Sequence, residues 1–168
     1  MTIEKCTFKN MKLNSYYNKE AINLDTNDPN TGSFTQDWSK KDKTPNCKVT
    51  VKNCKFQNLM RAVGTHRYSG GKYHTKIKFL NNKVKKVNTP LGMLNWKNSV
   101  VKGNTFTNCK ANAKFNYVMM MAGVKNMTFT KNTFDNCKGK YLLKVYESYQ
   151  TVYASYPSTQ CVFTAANK

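Results

Sequence analysis

Acidic side chains are scarce in this chain of 168 residues: eight Asp and Glu stand against 28 Lys and Arg, a formal net charge of +20 at pH 7. A net charge of roughly 2–8 suffices to keep a small domain soluble, so this excess points to a partner of opposite sign. Arginine is nearly absent as well. Only Arg61 and Arg67 carry the planar guanidinium fork that reads bases or phosphates in pairs, and the rest of the charge is lysine ammonium. That excludes sequence-specific nucleic-acid recognition and favours a polyanion sensed as a field of charge. Histidine is limited to His66 and His74, and the six cysteines include no Cys-x-x-Cys pair, so no structural zinc site and no other metal or cofactor is expected. No run approaches the ~20 apolar residues that a membrane span needs. Disorder is excluded from the other side: 39% of residues are hydrophobic and 12% aromatic, enough to build a core.

What the chain does have is a degenerate repeat, Val/Phe-x-x-Asn/Cys-x-Phe/Val-x-Asn, beginning at Ile3, Val51, Phe79, Val101 and Phe129. The steps between copies are 48, 28, 22 and 28 residues. A period of twenty-odd residues made of short β-branched and aromatic runs, punctuated by Asn and Gly, is the pattern of stacked solenoid coils rather than separate hairpins. The 48-residue step is one coil plus an insertion.

Stacking at the ~4.8 Å strand separation turns equivalent residues into columns. Ile3, Val51, Phe79, Val101 and Phe129 form one apolar file, and Phe8, Phe56, Val84, Phe106 and Phe134 a second. Asn10, Asn58, Asn108 and Asn136 form an amide file at a turn, interrupted only by Lys86, in which each amide can donate to one neighbour and accept from the other. The next file, Met11, Leu59, Val87, Cys109 and Cys137, again looks inward.

These coils resemble those of the right-handed parallel β-helix repeat proteins of the pectin-lyase-like superfamily. The resemblance implies an all-β solenoid of about five coils. It places coils over residues 1–147, with a loop insertion at 27–46, and a last irregular coil or cap over 148–168. The chain enters its first repeat directly after Met1-Thr2, so a piece of a longer protein, or a mature chain whose leader has been removed, is expected. Open solenoid ends would permit end-to-end self-association.

The charge is unevenly placed. Residues 1–42 hold six lysines and six acids, whereas residues 43–168 hold 22 basic residues and two acids. An acidic polysaccharide or cell-wall polymer is the expected partner; a lysine coat that merely keeps an edge-rich protein soluble is the plainer reading. Cys6 and Cys54, and likewise Cys109 and Cys137, occupy equivalent positions in consecutive coils. In-register parallel strands seldom offer disulfide geometry, which favours buried free thiols within the ladders. Cys47 and Cys161 stay undecided.

A second apolar strand follows each repeat: Ala21-Ile22-Asn23-Leu24-Asp25, Ala62-Val63-Gly64-Thr65-His66, Gly92-Met93-Leu94-Asn95-Trp96, Val118-Met119-Met120-Met121 and Leu143-Lys144-Val145-Tyr146. With Ile22, Val63, Met93, Val118 and Leu143 pointing inward, the outward column three residues on reads Asp25, His66, Trp96, Met121, Tyr146. Asp25 beside His66 would raise the imidazole pKa and orient it as a general acid/base unit. Trp96 and Tyr146 would stack pyranose rings, unless Trp96 packs beneath a loop. Glu20, Arg67, Tyr68, Lys72 and Lys144 lie along or beside the same strands, and the insertion brings Trp38 over one side. Met119-Met120-Met121 reads as core filling.

The strings Glu20-Ala21-Ile22-Asn23-Leu24-Asp25 and Gly64-Thr65-His66 are similar to motifs in secreted β-helix proteins of Gram-positive bacteria, which implies a secreted or cell-surface location and carbohydrate as the target. The chain departs from the pectate lyases and pectin hydrolases, which cluster aspartates where this chain has Asp25 beside His66. Three functions stand: a module binding anionic polysaccharide or cell-wall polymer through its lysines, a polysaccharide lyase or glycoside hydrolase using Asp25, His66 and Glu20, and a structural β-helix segment of a phage fibre or surface assembly.

Overall fold

The computed structural model describes residues 1–11, 20–24, 48–65, 73–111, 117–146 and 162–167. Most of its strands are short, and Asn, Gly or Lys in a left-handed conformation stands at many of the corners along them. In chain order they are β1 (Thr2–Glu4), β2 (Thr7–Lys9), β3 (Glu20–Asn23), β4 (Thr50–Lys52), β5 (Lys55–Leu59), β6 (Arg61–Gly64), β7 (His74–Thr75) and β8 (Lys78–Leu80). They continue as β9 (Lys83–Val87), β10 (Leu91–Leu94), β11 (Trp96–Lys102), β12 (Thr105–Thr107), β13 (Tyr117–Ala122), β14 (Lys125–Asp135), β15 (Tyr141–Tyr146) and β16 (Val162–Asn167).

All strand pairings described are parallel and join one coil to the next, so the strands pile into three walls. The first wall is β1-β4-β8-β11-β14, with β7 against the start of β11 and β16 on β14. The second is β2-β5-β9-β12-β14, joined to the first because β14 runs through both. The third, β3-β6-β10-β13-β15, is a separate sheet. This is a parallel β-helix.

Both repeat files are in register. Ile3, Val51, Phe79, Val101 and Phe129 are successive partners on the first wall. Phe8, Phe56, Val84, Phe106 and Phe134 are successive partners on the second. Phe8 stacks on Phe56, and Phe106 on Phe134, each pair at 5.0 Å between ring centroids. Leu59, Val87 and Cys109 complete the interior with no exposed surface, and Met11 and Cys137 lie half-buried at its margin.

The corners explain the abundance of Asn. Between the first and second walls stand Lys5, Asn53, Asn81, Gly103 and Lys131, with φ between 53° and 70°. Between the second and third stand Asn10, Asn58, Lys86, Asn108 and Asn136, with φ between 48° and 59°. Asn and Gly enter this region at lower cost than other residues. The amide file at the second corner bonds as its spacing suggests: Asn58 Nδ2 donates to Asn10 Oδ1 at 2.9 Å and Asn136 Nδ2 to Asn108 Oδ1 at 2.6 Å. Lys86 holds the same backbone turn between them.

One residue after the first corner runs a buried ladder. Asn104 Oδ1 accepts from the backbone N–H and Nδ2 of Asn82, while Asn104 Nδ2 donates to Phe79 O and to Asn132 Oδ1, all within 2.9–3.0 Å. Cys54 occupies the next rung, where its N–H donates to Asn82 Oδ1 and its thiol to Lys52 O. The four described cysteines, Cys6, Cys54, Cys109 and Cys137, are free thiols, but only Cys54 and Cys109 are buried. Cys47 and Cys161 lie outside the described residues.

Candidate anion-binding face

The first two walls alternate. In β5 and β9 the apolar Phe56 and Val84 point into the core, and Lys55, Gln57, Lys83 and Lys85 stand exposed outside. Lys55 and Lys83 are direct partners, as are Gln57 and Lys85. Lys86 at the corner and Lys9 on β2 extend the same surface, and the first wall adds Lys78 and Lys102. Neighbouring ammonium groups one or two coils apart sit within a Debye length of ~10 Å at 0.1 M salt, so their fields add.

Little negative charge opposes them. The described residues contain three acids, Glu4, Glu20 and Asp135. Glu4 bridges Lys52 at 3.1 Å, and that lysine, with help from Asn53 and Lys5, holds the Glu4 carboxyl below its ordinary pKa. Glu20 bridges Arg61 at 3.1 Å with both side chains almost fully buried. Two of the three are thus committed to ion pairs; the third, Asp135, stands exposed on the second wall, two strands beyond Lys85 in the outward column Gln57, Lys85, Thr107, Asp135, so lysine dominates the wall around β5 and β9 and one carboxylate marks its far side.

The third wall is built differently. Every residue of β6, β10 and β13 is buried, so both sheet faces are covered. The inward partners are Ile22, Val63, Leu91, Met119 and Leu143. The expected alignment through Met93 and Val118 is therefore corrected, by two residues at Met93 and one at Val118. Three residues beyond Leu91, Met119 and Leu143 of the true column stand Leu94, Ala122 and Tyr146; the last is placed through its pairing with Ala122. Of the methionines, Met119 and Met121 join the main core, and Met120 packs with Leu94, Tyr117 and Ala122 in a smaller cluster.

Trp96 does not face outward. It follows Asn95, a left-handed corner at φ 54°, and so opens β11 beside His74 instead of ending the third wall. Its side chain has no exposed surface, and Nε1 donates to Thr65 Oγ1 at 3.2 Å. A fully buried indole offers no stacking platform. Thr65 is the hub of this corner: its hydroxyl also donates to Leu94 O at 3.0 Å and accepts from Leu94 N–H at 2.9 Å.

Glu20 and Gly64, parts of the two most specific motifs, belong to one packing unit. A Cβ on Gly64 would come within 2.8 Å of Arg61 Cδ and 3.0 Å of Glu20 Cγ, and one on Gly92 within 2.8 Å of Arg61 Nη1. The two glycines are strand partners and make the channel in which the Arg61 side chain lies. Glu20 is thereby engaged with a buried cation. Lys144 sits on β15 with Nζ 5.6 Å from the Tyr141 ring, and Lys140 at 5.5 Å from the same ring. Asp25, Trp38, His66, Arg67, Tyr68 and Lys72 lie outside the described residues. Among the described residues no three His, Cys, Asp or Glu side chains gather as a metal site would need, and no helix is long and apolar enough to cross a membrane.

Reading residues singly for acid/base chemistry overlooked Lys55, Lys83 and Lys85. Their signal was the alternation Lys83-Val84-Lys85, with an apolar residue between two lysines on a strand. In comparisons with known proteins, residues 42–166 match the model of a family described as the right handed beta helix region. No curated protein and no solved structure matches the chain. The family match covers most of the chain and agrees with the parallel stacking of its three walls: the protein belongs to the right-handed β-helix family.

Proposed function

We propose that this β-helix is a secreted or cell-surface module that holds an anionic polymer, an acidic polysaccharide or cell-wall polymer, against the lysines of its second wall. The observation that carries this reading is the exposed set Lys55, Lys83, Lys85 and Lys86, set on in-register strands with no described carboxylate among them. Lysine suits the task. An ammonium on a flexible stem follows charges along a chain without demanding one geometry, whereas arginine would impose a planar, paired contact. The closeness of like charges has a cost that a polyanion relieves, so affinity should rise as salt falls.

The test measures binding of polygalacturonate and of poly(glycerol phosphate) at low and at physiological ionic strength, for the protein and for a Lys55→Gln/Lys83→Gln/Lys85→Gln variant. The proposal expects salt-sensitive binding that the variant weakens about tenfold or more. No binding of either polymer at low salt, or equal binding by the variant, overturns it. Release of reducing ends or unsaturated sugars during incubation would instead support the lyase or hydrolase reading. The buried Arg61 pairing of Glu20 argues against Glu20 as its acid.

A further inference from the structure

The lysines of one coil form a belt around the solenoid. Lys76, Lys78, Lys83, Lys85 and Lys86 are all exposed. Lys76 turns the chain at φ 57° between β7 and β8, Lys78 stands outside the first wall, Lys83 and Lys85 stand outside the second, and Lys86 holds the second corner.

Along the axis the charge does not continue in this way. Lys78 has Thr50 and Val100 as its neighbours in the flanking coils, Lys83 has Lys55 and Thr105, and Lys85 has Gln57 and Thr107. Lys86, one residue on, stands between Asn58 and Asn108. Lys76 shares a file with Lys48 and Asn98, because Lys48 N–H donates to Thr75 O and Lys76 N–H to Lys97 O. Each lysine of the belt thus has at most one lysine beside it along the axis. The column through Lys85 even changes sign, reaching the exposed carboxylate of Asp135 one coil past Thr107. Around the coil no such opposition arises, since no Asp or Glu occurs between Asp42 and Asp135.

The corner between the two halves of the belt is passable. Between Lys78 and Lys83, Phe79 and Asn82 are buried. A Cβ on Gly103 would collide with Asn81 Oδ1, so the Asn81 side chain lies back over the next coil. Lys102, the strand partner of Leu80, stands exposed beside this crest and carries positive charge across it.

Resting on the lysine-face reading above, we propose that the polymer held there is a flexible phosphodiester chain of the poly(glycerol phosphate) type, and that it crosses the solenoid axis, following residues 76–86 over the corner between the first and second walls. Successive outward residues of a strand are ~6.6 Å apart, and the six single bonds from phosphate to phosphate through a glycerol span about 7 Å when extended, as the six backbone bonds of two peptide residues do. One phosphate meets each ammonium. Single bonds throughout also let the chain bend over the corner. A chain of rigid pyranose rings turns only at its glycosidic links, so polygalacturonate is expected to lie against one wall.

The experiment titrates poly(glycerol phosphate) and polygalacturonate against the folded protein and three variants over a series of salt concentrations. Lys76→Gln/Lys78→Gln removes one half of the belt, Lys83→Gln/Lys85→Gln the other, and Lys131→Gln/Lys138→Gln removes two exposed lysines that flank Asp135 two coils away. For poly(glycerol phosphate), each belt variant should bind about tenfold or more weakly and flatten the slope of log affinity against log salt by roughly 1.4, the value of two phosphate contacts on a single strand. The Lys131/Lys138 variant lies about a Debye length away and should stay within about threefold of the unaltered protein. For polygalacturonate only the Lys83/Lys85 pair should matter.

If Lys76→Gln/Lys78→Gln left poly(glycerol phosphate) binding unchanged while Lys83→Gln/Lys85→Gln weakened it, the path across the axis would be overturned and the lysine-face reading would stand. Equal losses in all three variants overturn the path as well, since net charge alone would then set affinity. Binding of polygalacturonate without poly(glycerol phosphate), or equal dependence of both polymers on both halves, overturns the choice of a flexible phosphodiester. Binding of neither polymer overturns this proposal together with the reading on which it rests.

Discussion

The second and third walls of the same β-helix solve opposite problems. On the second, β5 and β9 alternate an exposed lysine with a buried Phe or Val, so one face builds the core and the other meets solvent. On the third, β6, β10 and β13 are buried throughout. Parallel strands covered on both faces read as continuous apolar runs, and this is how Tyr117-Val118-Met119-Met120-Met121-Ala122 reads. The difference decides which described strands present side chains to solvent: β5 and β9 of the lysine wall do, and β6, β10 and β13 do not.

The comparison breaks first at Arg61 and Glu20, the charges of the covered wall. Glu20→Gln removes the carboxylate charge that meets the buried guanidinium at 3.1 Å beside the glycine channel. Removing one partner of a buried pair costs about 3–5 kcal/mol, readable as a lower urea midpoint. Replacing both residues with apolar ones of similar volume should recover most of that loss. A loss below about 1 kcal/mol for Glu20→Gln would mean that water reaches the pair and that the third wall is open.

A smaller contrast separates the two amide ladders. Asn104→Ala removes from a buried rung an amide oxygen that accepts two hydrogen bonds and an amide nitrogen that donates two, and takes from Asn82 N–H and Phe79 O these partners, at about 3 kcal/mol. Asn108→Gly keeps the left-handed turn and loses one exposed bond to Asn136, so it should cost about 1 kcal/mol or less. Thermal unfolding of the two variants side by side checks the ratio. Equal losses would mean that both ladders are equally wet.

The same contrast explains which parts of the fold were legible in the sequence. The file led by Phe8 was readable because each of its apolar residues sits between polar ones, and that led by Ile3 because most of its members do, so a slip of one residue would turn lysine inward. The third wall has no such marker. With apolar residues on both faces, Met93 fits the inward column as well as Leu91 does, and Val118 as well as Met119. Register was set instead by the corner at Asn95, and the slip carried Trp96 into an outward file that it never joins. The motif residues Glu20 and Gly64 stood out in sequence for a physical reason, the close passage of Arg61, but that reason is packing.

The smallest effect on stability, and the sharpest test of the contrast, belongs to the lysines. Lys83→Gln and Lys85→Gln each remove an exposed ammonium whose stem lies on the outer face, so folding stability should change by no more than about 0.5 kcal/mol in either direction. A gain would be natural, since Lys83 stands directly beside Lys55 and like charges opposed across strands repel. Affinity for polygalacturonate should fall with each substitution, and the dependence of affinity on salt should become shallower in step, because fewer counterions are exchanged. If the two glutamine variants lost stability and kept their affinity, the lysine wall would be part of the scaffold and its charge would serve solubility alone.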